Sequence, residues 1–279
     1  MSDKPVTVPD IMAAKGKRKL AMLTAYDYAI ASLLDKAGLD MILVGDSLAM
    51  VGLGMRDTLA VGMDAMIHHT RAVSRGVTRA LVVGDMPFGS YQPSVELAVV
   101  NAGRFLSEGR ASAVKVEGGA RMLPQVEAMI RADIPVMGHV GLTPQSVAKM
   151  GGFKVQGKSA EAARVLMDDA TAMAGAGCFA IVLEAMPAPV AERITEAVPV
   201  PTISIGAGPG CDGQVLVVND ALGLFDRFTP RFVKRFGEVG EAVLNAAKAY
   251  VDEVRDGTFP GPEHCFTMSD EEKERLKDM

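Results

Sequence analysis

The chain has no tryptophan among its 279 residues, and only four tyrosines, four histidines and three cysteines. Cys178, Cys211 and Cys265 are odd in number and lack CxxC spacing, which argues against a disulfide framework or a zinc site and for a reducing compartment. No run of about 20 apolar residues is present to span a bilayer. The first ten residues, MSDKPVTVPD, hold no apolar core of signal-peptide length. Lysine and arginine form no long cluster, and a net charge of −5 favours neither nucleic acid nor an anionic membrane. These absences lead us to expect a cytoplasmic protein without nucleic-acid or membrane partners. A GxGxxG fingerprint is also missing where an open dinucleotide-binding sheet would carry it: Thr24-Ala25-Tyr26-Asp27 follows the first strand-like segment.

Apolar residues, at 49%, suffice for a large core. Strand-like and helix-like segments alternate along most of the chain. Strands are expected at 19–25, 40–44, 80–83, 113–116, 135–138, 179–183, 201–205 and 214–218. Helices are expected at 27–37, 63–74, 93–108, 122–132, 159–174 and 187–197, with a helical tail within 231–255. The first helix carries Ile30, Leu33, Leu34 and Ala37 at i, i+3, i+4, i+7 spacing. Pro93 is placed in the first turn of its helix. The strands are solidly apolar, as in parallel strands covered on both faces. Eight strand–helix units predict a (β/α)8 TIM barrel, one domain over 1–279 with a short N-terminal extension, a helical tail and a charged, frayed end from Ser269.

Polar groups gather where this fold keeps its chemistry, at the C-terminal ends of strands. Met41-Ile42-Leu43-Val44-Gly45-Asp46-Ser47, Leu81-Val82-Val83-Gly84-Asp85 and Ala113-Val114-Lys115-Val116-Glu117 are apolar runs that each end in an acid. Like charges on one rim are unfavourable unless a cation lies between them. Three carboxylates without paired His or Cys suit Mg²⁺, with water and substrate completing its shell. The bland alternative is three acids capping helices. Lys115 shares a strand face with Glu117 and suits a substrate carboxylate or oxyanion; a structural salt bridge is the alternative. Glu184 is a spare carboxylate free to act as a base, or else a partner in a loop salt bridge, and His139 can donate to an oxyanion or carry a proton, or serve structurally. His68 and His69 read as structural. The loop Gly206-Ala207-Gly208-Pro209-Gly210 suits either a phosphate or a tight turn. These parts fit Mg²⁺-assisted enolisation of a 2-oxo acid followed by carbon–carbon bond chemistry.

VGDSLAMVGLG, MIHHTRAV, VVGDMPFGSY, AVKVEGG, MGHVGLTPQS and IGAGPGCDGQVLV resemble the ketopantoate hydroxymethyltransferase family. That resemblance implies a barrel of the phosphoenolpyruvate/pyruvate superfamily type. It implies transfer of a one-carbon unit from 5,10-methylenetetrahydrofolate to 3-methyl-2-oxobutanoate, giving 2-dehydropantoate for pantothenate and coenzyme A synthesis. By position it implies Mg²⁺ ligands at Asp46, Asp85 and Glu117, oxo-acid contacts at Asp46, Ser47, Asp85 and Lys115, and a proton acceptor at Glu184. His139 falls in a family motif as polar support. The resemblance also implies a homo-oligomer, commonly a decamer. Ala49 departs from the glycine expected in GDSLGM and touches no assigned role. A carbon–carbon lyase of the isocitrate-lyase kind would need a catalytic Cys in a Lys-Lys-Cys-Gly-His-type loop, which none of the three cysteines has. A non-catalytic barrel would leave the strand-end acids unexplained.

Overall fold

The structure is a computed structural model that describes residues 4–225 and 227–279. Eight parallel strands close into a barrel in chain order: β1 (Leu20–Thr24), β2 (Met41–Val44), β3 (Leu81–Asp85), β4 (Ala113–Glu117), β5 (Val136–Gly141), β6 (Ala180–Glu184), β7 (Thr202–Ile205) and β8 (Gly213–Leu216), with β8 pairing β1. The expected (β/α)8 barrel is therefore the observed architecture. Helix α1 (Val8–Ala13) precedes β1 and α2 (Tyr28–Lys36) follows it; α3 (Leu48–Val51) and α4 (Met63–Gly76) follow β2; α5 (Val95–Ser107) follows β3 and α6 (Leu123–Arg131) follows β4. Then come α7 (Val147–Met150) and α8 (Ala160–Gly175) after β5, α9 (Ala188–Ala197) after β6, and α10 (Val218–Ala221), α11 (Val239–Asp256) and α12 (Asp270–Lys277) after β8.

Strand parity divides the core into two layers. Alternate residues of a strand face opposite sides. Ile42, Val82, Val114, Val116, Ile181 and Leu183 pack outward under the helices. Leu43, Leu81, Val83, Ala113, Met137 and Val182 fill the barrel's interior. Ile11 of α1 is fully buried in that inner layer, so the N-terminal extension contributes to the barrel core. Thr7 and Asp10 cap α1 reciprocally, which lets so short a helix hold its shape.

Several local expectations need correction. Pro93 lies before the helix, whose N-cap is Ser94. On α2 the buried side chains are Ala31, Leu34 and Asp35, while Leu33 is 63% exposed. Asp35 is held below the usual carboxylate range: although burial pushes it up, backbone N–H groups of Ala80, Thr78 and Arg79 and the Thr78 hydroxyl prevail. β5 continues through His139 to Gly141. The tail is helical only from Val239, and 270–277 forms a helix capped by Ser269.

Gly84 on β3 has no side chain because the ring of Phe105 from α5 occupies that space. Gly84→Ala should therefore lower stability by about 1–3 kcal/mol, the usual cost of overpacking a filled core. Denaturant unfolding of the two proteins measures this, and equal midpoints would mean that the helix gives way freely.

Candidate active site

The parity that fills the barrel floor also builds its mouth. Above Val83 the interior face of β3 ends in Asp85; above Ala113, β4 carries Lys115 and Glu117; above Met137, β5 carries His139; above Val182, β6 ends in Glu184. The parallel register then sets Asp85 opposite Lys115 and Glu117 opposite His139. Lys115 Nζ lies 2.6 Å from Asp85 Oδ1 and 3.5 Å from Glu117 Oε1. His139 spans two acids, with Nδ1 3.4 Å from Glu117 Oε1 and Nε2 3.2 Å from Glu184 Oε2. Neither ring nitrogen has the angles of a hydrogen bond, so we describe these contacts as charge pairing. Asp46 stands just past β2. Its N–H donates to Asp85 Oδ2 at 3.1 Å and its carboxylate accepts from Gln145 Nε2 at 3.0 Å. Ser47 Oγ is 2.8 Å from the Tyr26 hydroxyl.

Every site residue singled out in the sequence lines one cavity of about 700 Å³. Asp27, another polar residue near a strand end, instead caps α2. None of the three acids Asp46, Asp85 and Glu117 caps a helix; their carboxylates bond to each other's backbone, to Lys115 and to Gln145. His69 bonds the carbonyl of Tyr26 at 2.6 Å, a structural tie as expected. The Gly206 loop is a tight turn. Gly206 has φ +66°, and a Cβ there would meet the Phe232 ring at 2.6 Å.

The electrostatics follow from burial and count. Four carboxylates (Asp46, Asp85, Glu117, Glu184) face two cationic groups, Lys115 and His139. Burial, Asp85 and Glu117 push Asp46 well above the usual range, against the pull of Lys115 and Gln145. Asp85 is also raised, burial outweighing its bond with Lys115. Glu117 is lowered: Lys115, His139 and the Gln145 N–H together overcome its burial. The ammonium of Lys115 is stabilised by three carboxylates in spite of its burial. Burial and Lys115 disfavour charge on His139, yet Glu117 and Glu184 prevail and push it up to about 9. His139 is thus an imidazolium at neutral pH in the protein alone.

This donor set suits a hard divalent cation. The acids exceed the cations by two charges, and without a further positive charge Asp46 and Asp85 retain protons more readily. Glu117 Oε1 is buried and has no hydrogen-bond partner among the described residues. No three acid, His or Cys side chains among the described residues converge as a ready-made ligand shell. A hydrated ion reconciles the two facts, since Mg²⁺ usually keeps several waters and takes only one or two protein carboxylates directly.

Two elements of the site escaped the sequence. Gln145 and Tyr91, both buried, bond each other at 2.9 Å across 54 residues of chain. No spacing pattern connects them. At the outer rim stand Phe153, Phe228 and Phe232, each more than a third exposed, with the side chains of Lys154 and Arg231. Four of the chain's ten phenylalanines line this cavity, a concentration visible only once the loops after β5 and β8 are seen to meet there.

The closed barrel is similar in fold to solved structures of the phosphoenolpyruvate mutase/isocitrate lyase kind. A phosphonopyruvate hydrolase solved in complex with oxalate and Mg²⁺ superposes with a TM-score of 0.60 at 14% identity, covering 100% of this chain and 98% of that one. A 2,3-dimethylmalate lyase of that superfamily gives 0.56 at 15% identity, covering 97% and 98%. At such identity the likeness is one of fold. The sequence comparisons are finer. The model of the family described as "Ketopantoate hydroxymethyltransferase" matches residues 5–262. A 3-methyl-2-oxobutanoate hydroxymethyltransferase of Syntrophobacter fumaroxidans is 63% identical over 97% of this chain and 96% of its own length. One of Oleidesulfovibrio alaskensis is 59% identical over 99% and 95%, and one of Enterococcus faecalis 57% over 92% and 94%. The chain belongs to the ketopantoate hydroxymethyltransferase family.

Proposed function

We propose that this protein is an enzyme that transfers a hydroxymethyl unit from 5,10-methylenetetrahydrofolate to 3-methyl-2-oxobutanoate, releasing 2-dehydropantoate for pantothenate synthesis. The observation that carries the reading is the cluster of four carboxylates and two cations in one cavity of a chain of this family. Asp46, Asp85 and Glu117 would hold Mg²⁺, partly through water. Bound there, the ion would withdraw electrons from the oxo acid's keto group and so acidify its C3–H.

The chain's own groups do the rest. Lys115 neutralises the substrate carboxylate as a point charge, with Ser47 and the acids Asp46 and Asp85 around it. Glu184 accepts the C3 proton. It is the most accessible of the four acids, 15% exposed, and His139 Nε2 lies 3.2 Å from one of its oxygens. The C3 carbanion then bonds to the donor's methylene carbon as one of its two carbon–nitrogen bonds breaks; water displaces the second nitrogen and supplies the hydroxyl oxygen, and tetrahydrofolate leaves with the C3 proton and one proton of the water on its nitrogens. Leu43, Leu142, Val182 and Val215 offer the apolar wall that a crowded isopropyl carbon needs.

The cavity's size and rim support the donor. A small oxo acid fills only a fraction of about 700 Å³, a volume in the range of much larger ligands. Exposed Phe228 and Phe232 suit flat rings, and Arg231 and Lys154 suit a tail of carboxylates. Arg231→Gln should raise KM for the folate about fivefold, the weight of one exposed ion pair, and leave KM for the oxo acid unchanged. A parallel rise in both constants would remove Arg231 from the donor's path.

Folate-dependent consumption of 3-methyl-2-oxobutanoate by the purified protein, followed with and without a chelator, tests the whole reading. No turnover with both substrates and Mg²⁺ would end it. We further read 1–279 as one domain working in the cytoplasm as a homo-oligomer, a decamer by family resemblance. No helix among the described residues is long and apolar enough to cross a membrane. Helix α11 buries none of its 18 residues and leaves Val243, Leu244 and Tyr250 more than half exposed, which supports assembly with further copies.

A further inference from the structure

Gln145 sits in the turn after β5, 5% exposed, and its amide is used to capacity. Nε2 donates to Asp46 Oδ2 at 3.0 Å and to the Met86 carbonyl at 2.9 Å. Oε1 accepts from the Tyr91 hydroxyl and from Gln92 Nε2, both at 2.9 Å. The backbone N–H of the same residue donates to Glu117 Oε2 at 3.1 Å. Tyr91 in turn accepts from the Glu117 N–H at 3.0 Å. One residue therefore ties an oxygen on each of two acids that stand on different strands. The amide cannot turn over, because the Met86 carbonyl only accepts and needs the NH₂ end.

The consequence concerns the oxygens left. Asp85 has both oxygens engaged, Oδ1 by Lys115 and Oδ2 by the Asp46 N–H, and would reach the ion through water. Among the described residues no hydrogen bond reaches Asp46 Oδ1 or the buried Glu117 Oε1, the latter lying only at charge-pairing distance from Lys115 Nζ (3.5 Å) and His139 Nδ1 (3.4 Å). We propose that Gln145 is the positioning residue of the acid cluster: it occupies one oxygen of Asp46 and one of Glu117, and so presents each acid to the cation through a single oxygen. The inference rests on the divalent-cation reading given above. It also bears on selectivity. Ca²⁺ readily takes a carboxylate through both oxygens, whereas Mg²⁺ and Mn²⁺ suit one oxygen and near-octahedral geometry. By withholding the second oxygen, Gln145 favours the smaller ions.

The test uses the full-length protein without substrate and Mn²⁺ as probe, with free Mn²⁺ read by electron paramagnetic resonance and Ca²⁺ and Mg²⁺ by competition. Gln145→Leu keeps the bulk and the backbone N–H bond to Glu117 but loses all four bonds of the amide, the one to Asp46 included. It should weaken Mn²⁺ binding about 10- to 100-fold, the usual effect of losing a partner that orients a ligand. It should weaken Ca²⁺ less than Mg²⁺, a shift in preference that mere loosening of the fold does not produce. Gln92→Leu, which removes only one donor to Oε1, should stay near the parent. If Gln145→Leu does not fold, Tyr91→Phe takes its place. It removes one of the two donors to Oε1 and, unlike Gln92→Leu, also the acceptor of the Glu117 N–H, and should show the same change of preference with a smaller loss. A folded Gln145→Leu, or the Tyr91→Phe that replaces it, with parental Mn²⁺ affinity and parental Mg²⁺/Ca²⁺ preference overturns the proposal. If the parent itself binds no Mn²⁺, the divalent-cation reading has failed and the proposal falls with it.

Discussion

Glu184→Gln should exchange the C3 hydrogen of 3-methyl-2-oxobutanoate with solvent deuterium about 10²- to 10⁴-fold more slowly than the parent, the contribution of one well-placed base. Proton removal needs no folate, so the step is isolated by incubating protein, Mg²⁺ and oxo acid in D₂O and following the C3 signal by NMR. Glutamine keeps the size and a hydrogen-bonding oxygen near His139 Nε2, now 3.2 Å from Glu184 Oε2, but it has no basic oxygen. Binding of Mg²⁺ and the oxo acid should persist, because Glu184 lies across the mouth on β6, away from the Asp85–Lys115 pair. The charge of His139 should change as well. Glu117 and Glu184 together push its pKa up to about 9 against burial and Lys115, so removing one of them moves it down. In the parent the folded value stands above the ordinary 6.5, so the stabilisation from charging His139 is complete below about pH 6.5 and is lost as pH rises through about 9. In Glu184→Gln that loss sets in at lower pH. Exchange at the parental rate would pass the role of base to another group, a metal-bound hydroxide before the protonated His139.

Asp85→Asn should lower turnover at limiting Mg²⁺ by about 10²-fold or more, the scale of losing one preorganised electrostatic contact, with partial recovery in excess Mg²⁺ or Mn²⁺. Two effects on stability oppose each other. Breaking a buried ion pair typically costs about 3–5 kcal/mol because the surviving charge is left alone. Here Lys115 retains Glu117 at 3.5 Å, and removing Asp85 also relieves the repulsion that raises Asp46. The second effect offsets much of the first, so the variant should fold. The clearest readout is thermal unfolding against Mg²⁺ concentration. A bound ion should stabilise the parent by mass action, and the variant should need much more of it for the same shift in Tm. Identical Mg²⁺ dependence in the two proteins, with parental turnover, would show that Asp85 holds no metal.

Much of the barrel and of the acid set was legible in the sequence. Apolar runs such as Met41–Val44 and Leu81–Val83 fix strands, because a parallel strand must bury both faces, and the acids that end them fall at one rim by the fold's rule. The two-residue spacing of Lys115 and Glu117 fixes their common face, since strand parity is a local property of the backbone. What the spacing could not supply is register. That Asp85 meets Lys115, and Glu117 meets His139, depends on how neighbouring strands slide, which the whole barrel's closure decides. Leu33 kept its place in a helical stripe yet faces outward, because the apolar sector of α2 is set by what packs on it. Gln145 and Tyr91 lie in the motifs MGHVGLTPQS and VVGDMPFGSY, but nothing local shows that they meet. Their roles arise where loops from β3 and β5 converge on acids of β2 and β4, and only the tertiary structure brings those four segments within hydrogen-bond reach. Local chemistry thus set which residues could act, and the closed register of eight strands decided which of them act together.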